Sequence, residues 1–487
     1  TTEIYTLSLH DALPICGAEI IFNISASPWR QGVVEARENM IRARSADNAA
    51  AIVYVNQTGG NDALVFDGGN MVACGGDIVF RSERWKPVVC FYDLDLNSIQ
   101  RARQKNTTWR NDYIQLEKEC YVKKVELSKT HNRNNENNHN KQVFLSYNDN
   151  NYLDPIEESV NAIILGLNDY FEKTNAFKGI GVSISGGRDS VLTALLAAEW
   201  ALRTNRNPEM IKCFSMPSKY NSSMTKNIAK DISEYLGVSF GEIPITEAYS
   251  QEIDVLKKTF NSEEISPITL QNMQARIRAM RMWNISNELS LLWLQAGNMS
   301  EKATGYTTIG GDLSGGYSLL GNLPKTIVNK VLLNIIKNPK FWSISELKSF
   351  NDLKYVISLL LEETSASAEL AEDQNDERDL MPFELLDICY FMFIREKRTC
   401  QEIYDYICDN FTDEEFGPYY KKGMLKIWIE NFIKLFFRNI YKWVQSPQAV
   451  HLSDVDLDHE RALQIPVVQS LEWVNTSIKG EDRKSVV

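Results

Sequence analysis

The sequence predicts an α/β protein in which a doubly wound parallel sheet follows a smaller, partial α/β domain. Three observations predict this fold class. Strands alternate with helices after Pro155, a glycine-rich turn joins one of these strands to its helix, and an Asn-rich stretch separates them from an earlier strand-helix-strand pattern. Such alternation is typical of a parallel sheet with helices on both faces.

Length and composition are those of a globular protein. The chain has 487 residues, of which 44% are hydrophobic and 24% are charged, enough for two to four domains of ~100 to 200 residues. No apolar run approaches the ~18 residues of a membrane span. The net charge of -12 argues against a nucleic-acid partner, because binding phosphates needs clustered Lys and Arg. We expect neither a membrane nor a nucleic-acid partner.

Cysteine and histidine usage excludes several kinds of site. The eight cysteines are dispersed without a CxxC pair, and there are only five histidines. A disulfide scaffold, a His-rich zinc site and a Ser-His-Asp triad are therefore not expected. Free thiols and the lack of a recognisable secretion signal favour the cytoplasm.

The two ends differ from the rest of the chain. Residues 1–16 contain a Leu-rich stretch without the basic residues that precede it in a signal peptide. They look like translated sequencing adapter, and residues 479–487 are similar in part. We expect both ends to be non-native and the native sequence to begin at Gly17.

The first domain is expected at 17–130. Its segments are, in order, a buried strand (AEIIFNIS), a helix (34–47), a buried strand (AAIVYVN), a turn (NQTGGND) and two short strands (LVFDGGN and DIVF). Residues 131–154 are rich in Asn and lack periodicity, which predicts a linker.

The second domain is expected at 155–478. Its segments are, in order, an amphipathic helix from Pro155, a strand (GIGVSI), a helix (DSVLTALLAAEWALRT), a strand (IKCFSM), a helix (MTKNIAKDISEYL), and a long helix from 271 that leads into a strand (LLWLQA). The remainder is mostly helical. Its aromatic stretch FFRNIYKW at 436–443 is more typical of helix packing than of a cofactor site.

The most specific motif is Ser185-Gly186-Gly187-Arg188-Asp189-Ser190, between a strand and a helix. Two glycines let a ligand approach the backbone, and the helix N-terminus offers unpaired N–H groups to an anion. The hydroxyls and the carboxylate suit a pyrophosphate with Mg²⁺. A bare SGG could be an ordinary turn, but SGGxDS at this junction is more specific. The motif is neither a Walker A loop nor a GxGxxG fingerprint.

This loop resembles that of the PP-loop ATP pyrophosphatases. Four further segments, in this order and spacing, resemble the glutamine-dependent NAD⁺ synthetases: CFSMPSKYNSS, NMQARIRAMRM, GNMSEKATGYTTIGGDLSGGYSLLGNLPKT and SASAELAEDQNDERDLMPFELLD. Upstream, GAEIIFNISASPW and NQTGGNDALVFDGGN resemble the second half of that family's nitrilase-fold glutaminase domain. The resemblance covers roughly residues 17–475. It implies an adenine nucleotide α-hydrolase-like synthetase domain after a partial nitrilase domain.

The resemblance also implies roles for individual residues. Asp189 and Lys325 would be catalytic, and Asp189 and Glu301 would hold Mg²⁺. The ATP-binding set would be Ser185, Gly186, Gly187, Arg188, Asp189, Ser190, Ala296, Lys325 and Ser367. Deamido-NAD⁺ would contact Asn272, Arg276, Glu301, Tyr306 and Lys442, and glutamine would contact Ser27.

The sequence departs from the family pattern in several places. Ala296 stands where the family commonly has Thr, Trp443 replaces one cation of a basic pair, and Val33 replaces the basic residue that follows Ser27. The Glu, Lys and Cys of the nitrilase triad should precede Gly17, and we interpret Cys16 as accidental. We therefore expect an inactive glutaminase half and the use of free ammonia.

The resemblance implies two chemical steps. The carboxylate of deamido-NAD⁺ attacks the α-phosphorus of ATP to form an acyl-adenylate, and ammonia then displaces AMP. Small-molecule substrates and pairing of subunits through the synthetase domain are expected. Three alternatives stay open: an inactive ATP-binding scaffold, a tRNA-modifying PP-loop ligase, and an amidotransferase like GMP or asparagine synthetase.

Overall fold

The computed structural model of the chain describes residues 17–116, 153–363, 370, 377, 380–412, 422–459, 462–468, 470–476 and 478. It divides into two compact units. Unit 1 comprises Thr1–Gly59 and Val65–Asp154, and unit 2 comprises Gly60–Leu64 and Pro155–Val487. Each unit has its own sheet.

The first sheet has four strands in the order β1-β2-β5-β6. The elements of this part of the chain are β1 (Ile20–Ser25), α1 (Val33–Asp47), β2 (Ala51–Asn56), β3 (Thr58–Asn61), β4 (Leu64–Asp67), β5 (Met71–Cys74), β6 (Asp77–Arg81), α2 (Leu96–Lys105) and α3 (Thr107–Leu116). β1 pairs in parallel with β2, and β5 pairs antiparallel with β2 and β6. The strand-helix-strand pattern with an antiparallel continuation is thus confirmed.

One face of this sheet is covered and the other is exposed. On the covered face, Ile21, Tyr54 and Ala73 pack with Ile41 of helix α1 in a hydrophobic cluster. On the opposite face, Phe22 and Ile24 are 67% and 86% exposed, as the alternation of side chains along a strand requires.

The prediction of a plain turn at NQTGGND was wrong in part. Thr58–Asn61 forms strand β3, which pairs with β4 in a two-stranded sheet. The turn itself is confined to Asp62 and Ala63, and Asp62 has a φ of 54°. Two adjacent glycines indicate a turn, but they also fit a short strand where other backbone lies close to them.

The second sheet has five parallel strands in the order β11-β10-β7-β8-β9. These strands are β7 (Gly179–Ser183), β8 (Ile211–Ser215), β9 (Ser239–Glu242), β10 (Leu291–Gln295) and β11 (Tyr317–Ser318). The chain passes from β7 to β8 and β9 on one side and then to β10 and β11 on the other. The strand order therefore reverses between β7 and β10, which is where open α/β sheets bind ligands.

Helices surround this sheet. They are α4 (Pro155–Thr174), α5 (Arg188–Arg203), α6 (Ser223–Tyr235), α7 (Thr246–Phe260), α8 (Pro267–Leu289), α9 (Met299–Thr304), α10 (Lys325–Lys337), α11 (Phe350–Glu363), α12 (Phe383–Ile394), α13 (Cys400–Asn410), α14 (Leu425–Arg438) and α15 (Ile440–Trp443). The predicted doubly wound parallel sheet is confirmed. Within the residues described, no helix is long and apolar enough to span a membrane.

The aromatic stretch near the C-terminus packs inside the protein, as predicted. Phe432 and Phe436 of α14 and Trp443 of α15 belong to a buried cluster that also contains Phe383 of α12. The Phe436 and Trp443 rings lie 5.9 Å apart between centroids. Trp443, which stands where the resemblance implies a cation, therefore has a structural role.

Candidate functional site

A cavity of about 250 Å³ opens at the C-terminal ends of β8, β7 and β10, the three central strands of unit 2. Each strand delivers its following residues to the cavity wall: Ser185 after β7, Met216 after β8 and Ala296 after β10. Because the strands are parallel and adjacent, loops that are distant in sequence meet at this edge.

The loop after β7 has the backbone conformation that its glycines predict. Gly186 has a φ of 86°, and a Cβ placed there would lie 1.9 Å from the carbonyl oxygen of Thr225. Both the conformation and the contact require glycine. The Ser185 and Ser190 hydroxyl oxygens lie 3.0 Å apart, and the Ser190 hydroxyl donates to the Gly187 carbonyl at 3.0 Å.

Helix α5 begins directly after this loop. Its N-cap residue is Gly187, which has no side chain to accept from the N–H groups of the first turn. Helix N-termini with unpaired N–H groups bind anions. The loop and this helix start therefore form a cradle for a phosphate group, as the SGGxDS motif predicted.

A buried lysine lies between two carboxylates beside the cradle. The Lys325 ammonium donates to Asp189 Oδ2 and, at 3.2 Å, to Glu301 Oε1. Lys325 is only 4% exposed. Burial alone would lower the pKa of its ammonium, but the Asp189 and Glu301 carboxylates outweigh burial and raise the pKa above its ordinary value. Lys325 therefore stays protonated at physiological pH.

Asn298 and Asp387 hold this triad in place. Asn298 is the N-cap of α9, where its side chain accepts from the Glu301 N–H at 3.0 Å and donates to Asp189 Oδ1 at 3.0 Å. The half-buried Asp387 accepts from the Ser300 hydroxyl and from the Thr326 N–H and hydroxyl. One carboxylate thus joins the first turns of α9 and α10, which carry Glu301 and Lys325.

The sequence analysis did not single out these two residues. Asn298 had a signal, because Asn followed three residues later by Glu is typical of a helix N-terminus. Asp387 ends the quoted SASAELAEDQNDERDLMPFELLD segment, but no local pattern marks its role, since its partners are 61 and 87 residues away in sequence. Burial raises the pKa of Asp387 and the hydrogen bonds from Ser300 and Thr326 oppose this.

The structure brings most of the predicted residues to one place. The predicted residues that line the cavity are Ser185, Gly187, Arg188, Asp189, Ser190, Ala296, Glu301, Tyr306 and Lys325. Arg188 also donates to Asn329 Oδ1 at 3.3 Å and to the Leu361 carbonyl at 3.0 Å, away from the loop. Burial lowers the pKa of its guanidinium.

Two cations that the sequence analysis did not predict also line the cavity. Arg278 of α8 donates to the Met216 carbonyl at 2.9 Å, and Lys226 lies on α6. Arg278 lies within the NMQARIRAMRM segment, where only Asn272 and Arg276 were singled out. Lys226 lies outside the segments quoted for the family resemblance.

Three predicted dinucleotide contacts lie around the segment that follows α9. Asn272 Oδ1 accepts from the Thr308 hydroxyl at 2.7 Å, and Arg276 Nε donates to the Ile309 carbonyl at 3.1 Å. The Lys442 ammonium donates to the Gly305 and Thr307 carbonyls at 2.6 and 3.0 Å. These side chains support the backbone around Tyr306, and their contact with a ligand stays a prediction. Ser367 lies outside the described residues.

In unit 1, Ser27 is engaged by an arginine that the sequence analysis did not single out. Arg37 Nε donates to Ser27 Oγ at 3.1 Å, and Arg37 Nη1 donates to Asp67 at 2.7 Å. Val33 takes the position at which a basic residue was looked for, whereas Arg37, one helical turn later, reaches Ser27. A role for Ser27 in binding glutamine stays a prediction.

Comparison with known proteins identifies the family. The model of the NAD synthase family matches residues 159–415. The chain is 31% identical over 438 residues to the glutamine-dependent NAD(+) synthetase of Aquifex aeolicus. This alignment covers 89% of this chain and 68% of that protein.

The chain belongs to the NAD synthase family.

A second relative supports this assignment. The chain is 32% identical over 392 residues to the Thermotoga maritima glutamine-dependent NAD(+) synthetase, covering 80% of this chain and 62% of that protein. The chain thus spans about two thirds of the length of these curated relatives. The predicted family and its enzyme class, a carbon–nitrogen ligase, are confirmed.

Solved structures show the same fold. A glutamine-dependent NAD(+) synthetase from Cytophaga hutchinsonii aligns with a TM-score of 0.71 at 20% identity, covering 95% of this chain and 71% of that one. The glutamine-dependent NAD+ synthetase from Acinetobacter baumannii, solved with ADP, aligns with a TM-score of 0.57 at 22% identity. The alignment covers 94% of this chain and 70% of that one. At these identities the likeness supports the fold alone.

Proposed function

We propose that this chain converts deamido-NAD⁺ to NAD⁺ at the cavity of unit 2, consuming ATP and releasing AMP and pyrophosphate. The observation that carries the proposal is the Asp189–Lys325–Glu301 triad beside the glycine-rich loop. An anion cradle with a permanent cation suits a reaction in which a polyphosphate leaves.

The first step joins the two substrates. A carboxylate oxygen of the nicotinate group attacks the α-phosphorus of ATP, the bond to the bridging α,β oxygen breaks, and pyrophosphate departs with its electron pair. The loop of Ser185 to Gly187 and the first turn of α5 would bind the phosphates, and the Lys325 ammonium would donate to the oxygens on which charge develops.

The second step replaces AMP with nitrogen. Ammonia attacks the carbonyl carbon of the acyl-adenylate, the bond from this carbon to the phosphate oxygen breaks, and one proton leaves to give the carboxamide. No protein nucleophile is needed in either step. Because the pKa of Lys325 is raised, this residue would act by its charge rather than by proton transfer.

The site fits a magnesium ion that the substrate helps to bind. Two carboxylates, Asp189 and Glu301, share one ammonium, which leaves the triad with a formal charge of -1. In the described part of the chain, no group of three His, Cys, Asp or Glu could hold a metal. Mg²⁺ usually takes one or two carboxylates and completes its shell with water and phosphate oxygens. Bound there, it would offset the negative charge of the pyrophosphate.

We propose ammonia as the nitrogen donor of this chain. Its described part of unit 1 contains two cysteines: Cys74 Sγ lies 3.9 Å from the Ser98 hydroxyl, and Cys90 is exposed. Neither has a hydrogen bond to a lysine or an acid among the described residues. They therefore lack the partners that an activated thiol needs. The cytoplasmic location and the pairing of synthetase domains also stay predictions.

The test compares nitrogen donors. The chain, ATP, Mg²⁺ and deamido-NAD⁺ are incubated with ammonium chloride or with glutamine, and NAD⁺, AMP and orthophosphate are measured. We expect NAD⁺ and AMP in equal amounts with ammonium and little NAD⁺ with glutamine. Release of orthophosphate in place of AMP would contradict the proposed reaction. Binding of ATP without any product would instead indicate an ATP-binding scaffold. Efficient use of glutamine would contradict the proposal that ammonia is the nitrogen donor.

A further inference from the structure

Helix α6 begins against the phosphate loop. The Thr225 carbonyl is the group that a Cβ at Gly186 would strike, so the backbones of the loop and of the first turn of α6 touch. Ser222, the N-cap of α6, accepts from the Thr225 N–H at 3.2 Å and fixes this turn. Lys226, which follows Thr225 in the sequence, is half-buried and lines the same cavity as Ser185 and Ser190.

Lys226 differs from the other cations of the cavity wall. The Lys325 ammonium is bonded to two carboxylates, and the Arg188 and Arg278 guanidinium groups donate to carbonyl or amide oxygens of the protein. Among the residues that the structure describes, no hydrogen bond or ion pair involves the Lys226 ammonium, although Asp189, Glu301 and Asp312 all line this cavity. Its donors are available to a ligand.

We propose that Lys226 binds the β- and γ-phosphates of ATP in the cavity that Lys325 also lines. This inference rests on the proposed function, because it assumes that ATP is the ligand. Lys325 shares its charge with two carboxylates, Asp189 and Glu301, so the triad as a whole brings a net negative charge toward the phosphates. A second cation beside the loop would offset this charge and give the phosphates a charge-assisted hydrogen bond.

The proposal predicts a specific pattern of affinities. The whole chain with Mg²⁺ is titrated calorimetrically with α,β-methylene-ATP, whose α,β bridge cannot be cleaved, and separately with AMP. K226M should weaken binding of the ATP analogue about tenfold, the usual effect of losing a hydrogen bond to a charged group. It should change AMP affinity less than twofold. K226R, which keeps the charge, should restore most of the affinity.

Lys230 provides the matched control. It lies one turn later on α6, is exposed and does not line the cavity, so K230M should bind both nucleotides like the unmodified chain. Equal loss of AMP and analogue affinity in K226M would overturn the proposal, since Lys226 would then contact the adenosine or the α-phosphate, which both ligands carry, and not the β- and γ-phosphates. Unchanged affinity in K226M would overturn it as well.

The same titration separates this proposal from the proposed reaction. If the unmodified chain fails to bind the analogue, the proposed function and the Lys226 contact both fail. If the chain binds the analogue through Lys226 but makes no NAD⁺ from deamido-NAD⁺ and ammonium, the amidation is wrong and the phosphate contact stands.

Discussion

Each unit contains a triad of charged side chains around a buried central residue, and the two triads have opposite compositions. In unit 1, Asp67 lies between Arg37 and Arg84, at 2.7 and 2.8 Å. In unit 2, Lys325 lies between Asp189 and Glu301. The first has a formal charge of +1 and joins the end of β4 to α1 and a loop, whereas the second has a formal charge of -1 and joins the first turns of α5, α9 and α10.

The two triads also differ in the size of the cavity beside them and in the partners of their side chains. The first lines a cavity of about 10 Å³, too small for a substrate, whereas the second lines one of about 250 Å³. In the first, both oxygens of Asp67 accept from arginines, and Arg37 also donates to the Ser27 and Pro28 carbonyls. A buried ion pair alone is therefore weak support for a functional site. Space and an adjoining anion cradle distinguish the second triad.

The largest difference between the triads should appear when each central charge is removed. K325M would leave Asp189 and Glu301 facing each other and the departing pyrophosphate, so kcat/KM for NAD⁺ formation should fall about 10²- to 10³-fold. K330M, on the exposed side of the same helix, is the control and should keep full activity. A loss below fivefold in K325M would mean that the second triad, like the first, is structural.

Breaking the first triad should affect stability without affecting nucleotide binding. R37M leaves Asp67 buried with one partner fewer, which typically costs about 3 kcal/mol. Hydrogen exchange of peptides covering β1 and β4 should accelerate accordingly, while the affinity for α,β-methylene-ATP stays within twofold. Arg30 is exposed and gives the control R30M. In R30M we expect these peptides to exchange as slowly as in the unmodified chain. Weaker nucleotide binding in R37M would contradict the separation between the two triads.

Unit 2 contains a second buried lysine, Lys302, which should make the free energy of unfolding depend on pH. Burial lowers the pKa of Lys302 from 10.5 to about 8, although Asp456 and Glu301 oppose the shift. Between these two values the unfolded chain binds more protons at this residue than the folded chain does. The free energy of unfolding therefore rises with pH through this window, by roughly 3 kcal/mol for the whole shift.

The measurement is the unfolding free energy of the unmodified chain and of K302M between pH 7 and 10.5. The difference between the two chains should be constant below about pH 8 and grow in favour of the unmodified chain above it. K330M, which replaces an exposed lysine on α10, again serves as the control. Parallel curves for the unmodified chain and K302M would contradict the lowered pKa.

The sequence allowed the phosphate cradle to be predicted because its determinants are local. The Ser185–Ser190 segment contains its own turn, its own hydroxyls and the start of its own helix. Lys325 and Glu301 were identified by resemblance of their motifs, and the structure places both beside Asp189. The alternation of apolar strands and helices was likewise sufficient for the parallel sheet.

Other features of the fold and of the site could not be predicted, because they depend on contacts between residues that are distant in sequence. Strand β9 has the sequence SFGE and no fully buried residue, so it lacks the apolar run by which its neighbours were found. Arg37 was missed because a basic residue was sought six positions after Ser27, whereas the helix presents one ten positions after it. Asp387 and Lys226 reach the site only through the packing of separate helices.

The Asp387 carboxylate has a consequence for how the reaction begins. Because it holds the starts of both α9 and α10, the distance between Glu301 and Lys325 is set by folding. ATP would then meet charges that are already oriented, and little of its binding energy would be consumed in rearranging them. The positive and negative charges of this part of the wall would therefore be in place before the phosphates bind.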